Sequence, residues 1–342
     1  MTASPKVDWT KLPDEELLRL RMRDLGLKIP GSILEQRVAR LYEELDQKGI
    51  VFHPTCYLAD EWLTPDKVPI IGIPFYLAHP RLISLEKKMM LEAEGSGEEW
   101  CMRLLRHEAG HALNYAYRLF SHPEWTETFG PFDAPYYHVT YNSKPYSKRF
   151  VIHLEENYAQ AHPDEDFAET FAVWLSPPGD WRHRYRGWPA LKKLEYVDAL
   201  MAKVGPAPLK VKRVSTPWSS ERMTSTLQEF YHRKQKYLGA EFPGFYDPGL
   251  KRIFAPPDEG APPERALHFL RRHRKALLRA VSPWASQRKY DISRLLEKLL
   301  ARCEHLDLRL KGNPQDSLLE TAAFVAAILA SFRRFNGVHR GK

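Results

Sequence analysis

Cysteine is scarce in this chain. Cys56, Cys101 and Cys303 are scattered through 342 residues and odd in number, so neither a disulfide framework nor a cysteine-based zinc site fits them. Long apolar runs are missing too. The longest uncharged, mostly apolar stretch, Thr321 to Phe332, has 12 residues, against the ~20 that a bilayer-spanning helix needs. No membrane span is therefore expected. Met1 to Leu12 lacks the apolar core of a secretory signal, and the cytoplasm is the expected location. No internal repeat, RNA-binding aromatic motif or helix-turn-helix signature is present. What the chain does have is 43% apolar residues and nine Trp, enough for a folded protein of one or two domains.

The most informative residues are His107-Glu108-Ala109-Gly110-His111, an H-E-x-x-H motif. They fall in Trp100 to Phe120, which reads as a helix. One turn separates i from i+4, so both imidazoles leave the same face. Two neutral histidines held this way make half of a tetrahedral zinc site. Glu108, beside them, is placed as a general base for water activated by the metal. A surface helix with two solvated histidines would show the same five letters. Leu104, Leu105, Ala109, Ala112, Leu113 and Ala116 weigh against that, because they give this helix an apolar body. Buried imidazoles need partners, and a metal would satisfy both.

A second helix is expected over His162 to Leu175. Phe167, Phe171, Trp174 and Leu175 have helical spacing. Pro163 suits the first turn, and Asp164 to Asp166 read as charges favoured by the helix dipole. Glu165 and Glu169 share a face. Glu169 sits among Phe167, Ala168, Phe171 and Ala172, and an acid in such surroundings needs a partner. Glu165 as third zinc ligand, with Glu169 bonding the far nitrogen of a ligand histidine, would satisfy both acids. The metzincin branch is excluded: it requires Gly and His where the chain has Asn114 and Tyr117. His122, His138, His153 and His162 lack helical spacing to the motif and read as loop residues.

The HEAGH motif, the segment Asn157-Tyr158-Ala159-Gln160-Ala161-His162-Pro163 and EDFAETFAVWL together resemble the zinc-binding metallopeptidases of the gluzincin type. E-D-F-A-E is also similar to the matching helix of anthrax lethal factor and of the clostridial Pro-Pro endopeptidases. There the first Glu of E-x-x-x-E binds zinc, and a tyrosine seven residues earlier faces the reacting carbonyl. The resemblance implies zinc as cofactor, His107, His111 and Glu165 as ligands, Glu108 as base and Tyr158 as oxyanion donor. It covers about residues 50–180 and says almost nothing about substrate. The cysteine-rich zinc ribbon of some members has no counterpart here, so a role tied to it is not carried over.

Helices are expected over residues 13–49, in two segments separated by Gly31-Ser32. Strands are expected at 51–58 and across Val68 to Leu85, where Pro69, Pro74 and Pro80 confine the strand to a sheet edge. Such an edge would either pair with an extended substrate or stand as an ordinary edge strand. Ser121 to Tyr146, rich in Pro and Tyr, is expected to wall a cleft. The fold expected is thus α+β: a zincin-like metallopeptidase domain over 1–204, a linker over 205–218 and a basic, mainly helical region over 219–342.

Charge is uneven. Residues 263–342 contain 17 Lys+Arg and 7 Asp+Glu, a net of +10, whereas the whole chain is +8. Arg271-Arg272-His273-Arg274-Lys275 is the densest run. It reads as a solvated helix face or as a contact for nucleic acid or an acidic protein partner, the solvated face being favoured. Two functions follow. One is a zinc peptidase acting on a peptide or protein substrate. The other is a non-catalytic or weakly catalytic binding protein that uses the basic helices.

Overall fold

The computed structural model describes residues 8–135, 144, 146–209, 215–235, 245–257, 264–285 and 287–332. The fold is α+β and mostly helical, with one two-stranded sheet among the described residues. Two compact units are present: 8–86 with 93–229, and 87–92 with 230–332. The division falls between Glu229 and Phe230, later than the linker expected at 205–218. The reason is backbone pairing. Leu227 N–H donates to Leu20 at 2.9 Å and Met22 N–H to Ser225 at 3.1 Å, which binds the described part of this segment to the N-terminal residues. Residues 210–214 of that linker lie outside the described residues.

In the first unit, α1 (Asp14–Leu18) and α2 (Ile33–Gln47) form where expected. Ser32 caps α2, its hydroxyl accepting from Leu34 N–H at 3.2 Å. Strand β1 (Thr55–Ala59) runs parallel to β2 (Ile70–Pro74), with Thr55 opposite Ile70 and Ala59 opposite Pro74.

The expected strand over 68–85 is corrected by the structure. Only Ile70–Pro74 is extended; Pro74 ends the strand, a short 3-10 turn covers Phe75–Ala78, and Pro80 opens α3 (Pro80–Met90). An apolar run of this kind does not by itself separate strand from buried helix. Nor does β2 offer a free edge at its centre. All five residues of β2 are buried, and Leu63 bonds Gly72 in an antiparallel bridge at 2.8 and 3.3 Å. A Cβ on Gly72 would stand 2.7 Å from Leu63 Cδ2, so the bridge needs glycine there.

Helix α4 (Glu98–Ala116) carries the H-E-x-x-H motif and is buried from Leu104 through Tyr115. It is tied to α2 by a buried bidentate pair, Arg106 to Glu44 at 2.7 Å for each bond. The stretch expected as a cleft wall contains α5 (Pro123–Phe129). Trp125 and Phe129 of α5 pack on Phe167, with ring centroids 6.1 and 5.4 Å away. Residues 136–143 and 145 lie outside the described residues. The acidic segment forms α6 (Pro163–Leu175), buried at every position from Asp164 to Leu175. Then come α7 (Trp181–Arg184) and α8 (Ala190–Val204). Trp174 of α6 donates to Asp198 of α8 at 2.7 Å, and Lys193 of α8 pairs with Asp166.

Gly110 explains how α4 and α6 meet. A Cβ there would stand 2.8 Å from the Ala168 Cα. The two backbones cross at contact distance because Gly110 has no side chain to intervene.

Helix α9 (Leu227–Gln235) spans the boundary between the units. In the second unit, α10 (Asp247–Ile253), α11 (Ala266–Val281), α12 (Lys289–His305) and α13 (Pro314–Phe332) enclose a core that includes Leu250, Phe269, Leu295 and Val325. The dense basic run lies on α11. Arg272 pairs with Glu264 at 2.7 Å, and Arg274 with Glu297 at 2.6 Å. Among the described residues, no helix is long and apolar enough to cross a membrane.

Candidate metal centre

Helices α4 and α6 face each other through charged groups that are nearly all buried. His107, Glu108 and His111 are 3, 7 and 7% exposed; Asp164, Glu165 and Glu169 are 5, 5 and 1% exposed. The Nε2 atoms of His107 and His111 are 3.1 Å apart. Glu165 Oε2 is 3.1 Å from the first and 3.2 Å from the second. Tetrahedral ligands held at ~2.0–2.1 Å from a zinc ion lie about 3.3 Å from one another. The three atoms therefore already have nearly the required spacing.

The outer nitrogens are held as well. His107 Nδ1 meets Glu169 Oε1 at 2.8 Å, and His111 Nδ1 meets Asp164 Oδ2 at 3.0 Å. An ionised carboxylate only accepts, so each Nδ1 carries the proton. Each neutral imidazole then presents a lone pair at Nε2. Two lone pairs and a carboxylate oxygen converge on one buried point, and none of the three is a donor. This donor set fits a divalent cation of zinc's kind. Without one, protons must take its place. Burial alone would lower the His107 pKa, but Glu165 and Glu169 outweigh it and raise it to about 9. Asp164 and Glu165 likewise lift His111 well above its ordinary value against burial. Burial works to raise Glu165 and Asp164, yet the imidazoles hold both below the usual carboxylate range.

Glu108 points elsewhere. Its Oε2 accepts from the Thr64 hydroxyl at 2.8 Å. Burial pushes its pKa up, and the two imidazoles and Thr64 offset this only in part. Tyr158 lies on a short 3-10 helix, Glu155–Gln160, with its ring 5.7 Å from that of His107. Glu169 is fixed by a second contact, from Leu154 N–H at 2.8 Å.

Four residues of this network escaped the sequence reading. Asp164, read only as a helix-start charge, also accepts from Asn114 Nδ2 at 2.7 Å and the Tyr115 hydroxyl at 2.6 Å. A signal existed: His111 needed an Nδ1 partner as much as His107 did, and Tyr115 is one turn beyond it. Nothing local pointed to Thr64. Two histidines read as loop residues have structural work. His162 caps α6, its Nδ1 accepting from Asp164 N–H at 3.1 Å. His153 is buried, its Nε2 bonded to the Arg103 carbonyl at 2.9 Å. His122 precedes α5 and is exposed, and His138 lies outside the described residues.

The chain matches no protein-family model, no curated protein and no solved structure.

Proposed function

We propose that this chain is a zinc-dependent peptidase with a zincin-like catalytic unit. One observation carries the reading: two imidazole lone pairs and a carboxylate oxygen converge on one buried point, 3.1–3.2 Å apart. In this reading His107, His111 and Glu165 hold the metal. Glu169 and Asp164 keep the imidazole protons on Nδ1 and so keep Nε2 free to ligate. When bound, zinc lowers the pKa of its water from ~15.7 toward ~7. Glu108 accepts the proton and passes it to the leaving amine. Thr64 orients Glu108. Tyr158 donates a hydrogen bond to the substrate carbonyl oxygen as charge develops on it.

The binding-protein reading depends on the basic run of α11. Two of its arginines, Arg272 and Arg274, are already paired within their own unit. That supports a solvated helix face over a contact surface.

The deciding experiment combines elemental analysis of protein purified without chelators with cleavage of a peptide library. About one zinc per chain and cleavage that disappears in Glu108→Gln are expected. Equal cleavage by Glu108→Gln and parent would remove the hydrolytic mechanism.

A further inference from the structure

A cavity lies one helical turn beyond His111, and the chemistry above makes no use of it. It is a hollow open to solvent, holds about 340 Å³ and is lined by residues that include Lys67, Pro69, Tyr115, Arg118, Phe120 and Leu209. Two links tie it to the metal centre. Tyr115 shares the His111 face of α4 about 6 Å further along the axis, and its hydroxyl reaches back to Asp164 at 2.6 Å. Thr64, which bonds Glu108 at 2.8 Å, belongs to the same short segment as Lys67. In an extended peptide ~6 Å is close to two residues, at ~3.3 Å each. A peptide with its scissile bond at Glu108 would lay a side chain near this cavity.

The lining combines apolar residues with two exposed cations, Lys67 and Arg118. Phe120 stacks on Phe132 with ring centroids 4.4 Å apart, and Pro69, Ala116 and Leu209 are the other lining residues with no polar side-chain atom to offer a ligand. Lys67 Nζ stands 5.5 Å from the Phe132 ring and 4.0 Å from Asp66 Oδ2. Arg118 is exposed, and no carboxylate among the described residues pairs with it. Both cations sit in left-handed backbone, at φ 57° for Lys67 and 53° for Arg118. Long side chains rarely adopt that conformation, and such strained residues gather at ligand-binding sites. Six non-glycine residues with positive φ are described, and two of them supply the cations of this one cavity. Asp66 is the acid beside Lys67, and it acts on Tyr115 as well. Lys67 offsets it, which leaves Arg118 as the uncompensated charge.

We propose that this cavity is a specificity pocket for an acidic side chain, Asp or Glu, of the peptide substrate, placed one or two residues from the cleaved bond. The proposal rests on the peptidase reading. The Arg118 fork takes the carboxylate through charge-assisted hydrogen bonds, Lys67 adds a second cation, and the methylene stem lies on Phe120 and Pro69.

The test uses two C-terminally amidated peptide libraries, identical except that Asp and Glu in one are Asn and Gln in the other. Cleavage is measured for the parent, Lys67→Asn, Arg118→Asn and the charge-matched control Arg186→Gln, whose position is exposed. Asn tolerates left-handed backbone, so the pocket variants keep the fold. The parent should prefer the acidic library by roughly 10–100-fold in kcat/KM. Arg118→Asn should erase most of that preference, Lys67→Asn less, and the control none. Equal cleavage of both libraries by the parent, or a preference that survives Arg118→Asn, overturns the pocket. Binding of the same libraries, fluorescently labelled, to the Glu108→Gln protein separates this proposal from the peptidase reading. An acidic preference in binding that Arg118→Asn removes supports the pocket even if no variant cleaves; equal binding overturns it. A third library, with free C-termini and no Asp or Glu, tests the chain-terminal carboxylate. A preference confined to that library overturns the assignment to a side chain.

Discussion

Asp164 and His111 meet at 3.0 Å across 53 residues of sequence. Asp164 also accepts hydrogen bonds from Asn114 and Tyr115, so one turn of α4 sends three polar groups to a single carboxylate of α6. His111 is held at its outer nitrogen by Asp164 and faces Glu165, the next residue in the chain, with its inner one. Neighbouring acids on one helix thus serve opposite edges of one imidazole.

The first expectation is one zinc per chain. Protein prepared without chelators should contain about one equivalent, because three buried acceptor atoms otherwise face each other without a cation. His107→Ala should lose it. Full zinc content in that variant would place the metal elsewhere.

The acids of α6 should rank by what they touch. Glu165→Ala should nearly abolish zinc binding. Glu169→Ala and Asp164→Asn should each weaken it by roughly 10–100-fold, since each removes the carboxylate that orients one imidazole. Competition with a chelating dye gives the three affinities. If Glu165→Ala were the mildest of the three, the ligand register would be wrong.

Glu108→Gln keeps size and removes the proton acceptor. It should retain zinc and melting temperature while losing nearly all turnover. Tyr158→Phe should retain zinc and lose about 10²–10³ in kcat, as for one oxyanion donor. Zinc content, thermal melting and peptide cleavage, measured side by side, check both. An unchanged kcat in Tyr158→Phe would reduce that tyrosine to a wall residue.

Gly110→Ala should destabilise the protein although alanine is the better helix former, by about 1 kcal/mol. Its Cβ would stand 2.8 Å from the Ala168 Cα, and backbone cannot yield as a side-chain tip can. Overpacking of this kind costs roughly 1–3 kcal/mol. Urea unfolding of the metal-free and zinc-loaded forms measures the change, and a rise in stability would show that α4 and α6 separate freely.

His153 sets a pH dependence. Burial lowers its pKa from 6.5 to about 4. Between those values the unfolded chain binds the extra proton, so stability is full above about 6.5 and falls as pH drops toward 4. The slope from this one group is at most about 1.4 kcal/mol per pH unit. His153→Gln keeps a donor for the Arg103 carbonyl and should flatten that part of the profile. Denaturant unfolding at pH 7, 6, 5 and 4 tests it, and identical profiles for the two proteins would contradict the assignment.

Spacing inside a helix is local geometry, and that much was legible in the sequence. One turn separates His107 from His111 and Glu165 from Glu169, so each pair had to share a face. The apolar residues around them placed both faces inside. The α+β class, α2, α4 and α6 followed from the same periodicities. What only the tertiary structure decided depends on contacts between distant segments. The sequence marks Asp164 as a helix-start charge, and only the crossing of α4 over α6 at Gly110 turns it toward His111. Thr64 reaches Glu108 because β2 brings Leu63 against Gly72, which also fills the edge that the sequence left open between pairing with a substrate and standing as an ordinary edge strand. Val68 to Leu85 carries an apolar pattern that strand and buried helix share, and Pro74 and Pro80 resolved it into strand, turn and helix. Met223, Ser225 and Leu227 join the first unit through backbone bonds to Arg23, Met22 and Leu20. Backbone hydrogen bonding leaves no mark on side-chain pattern, so the boundary at Glu229–Phe230 could be read only from the folded chain.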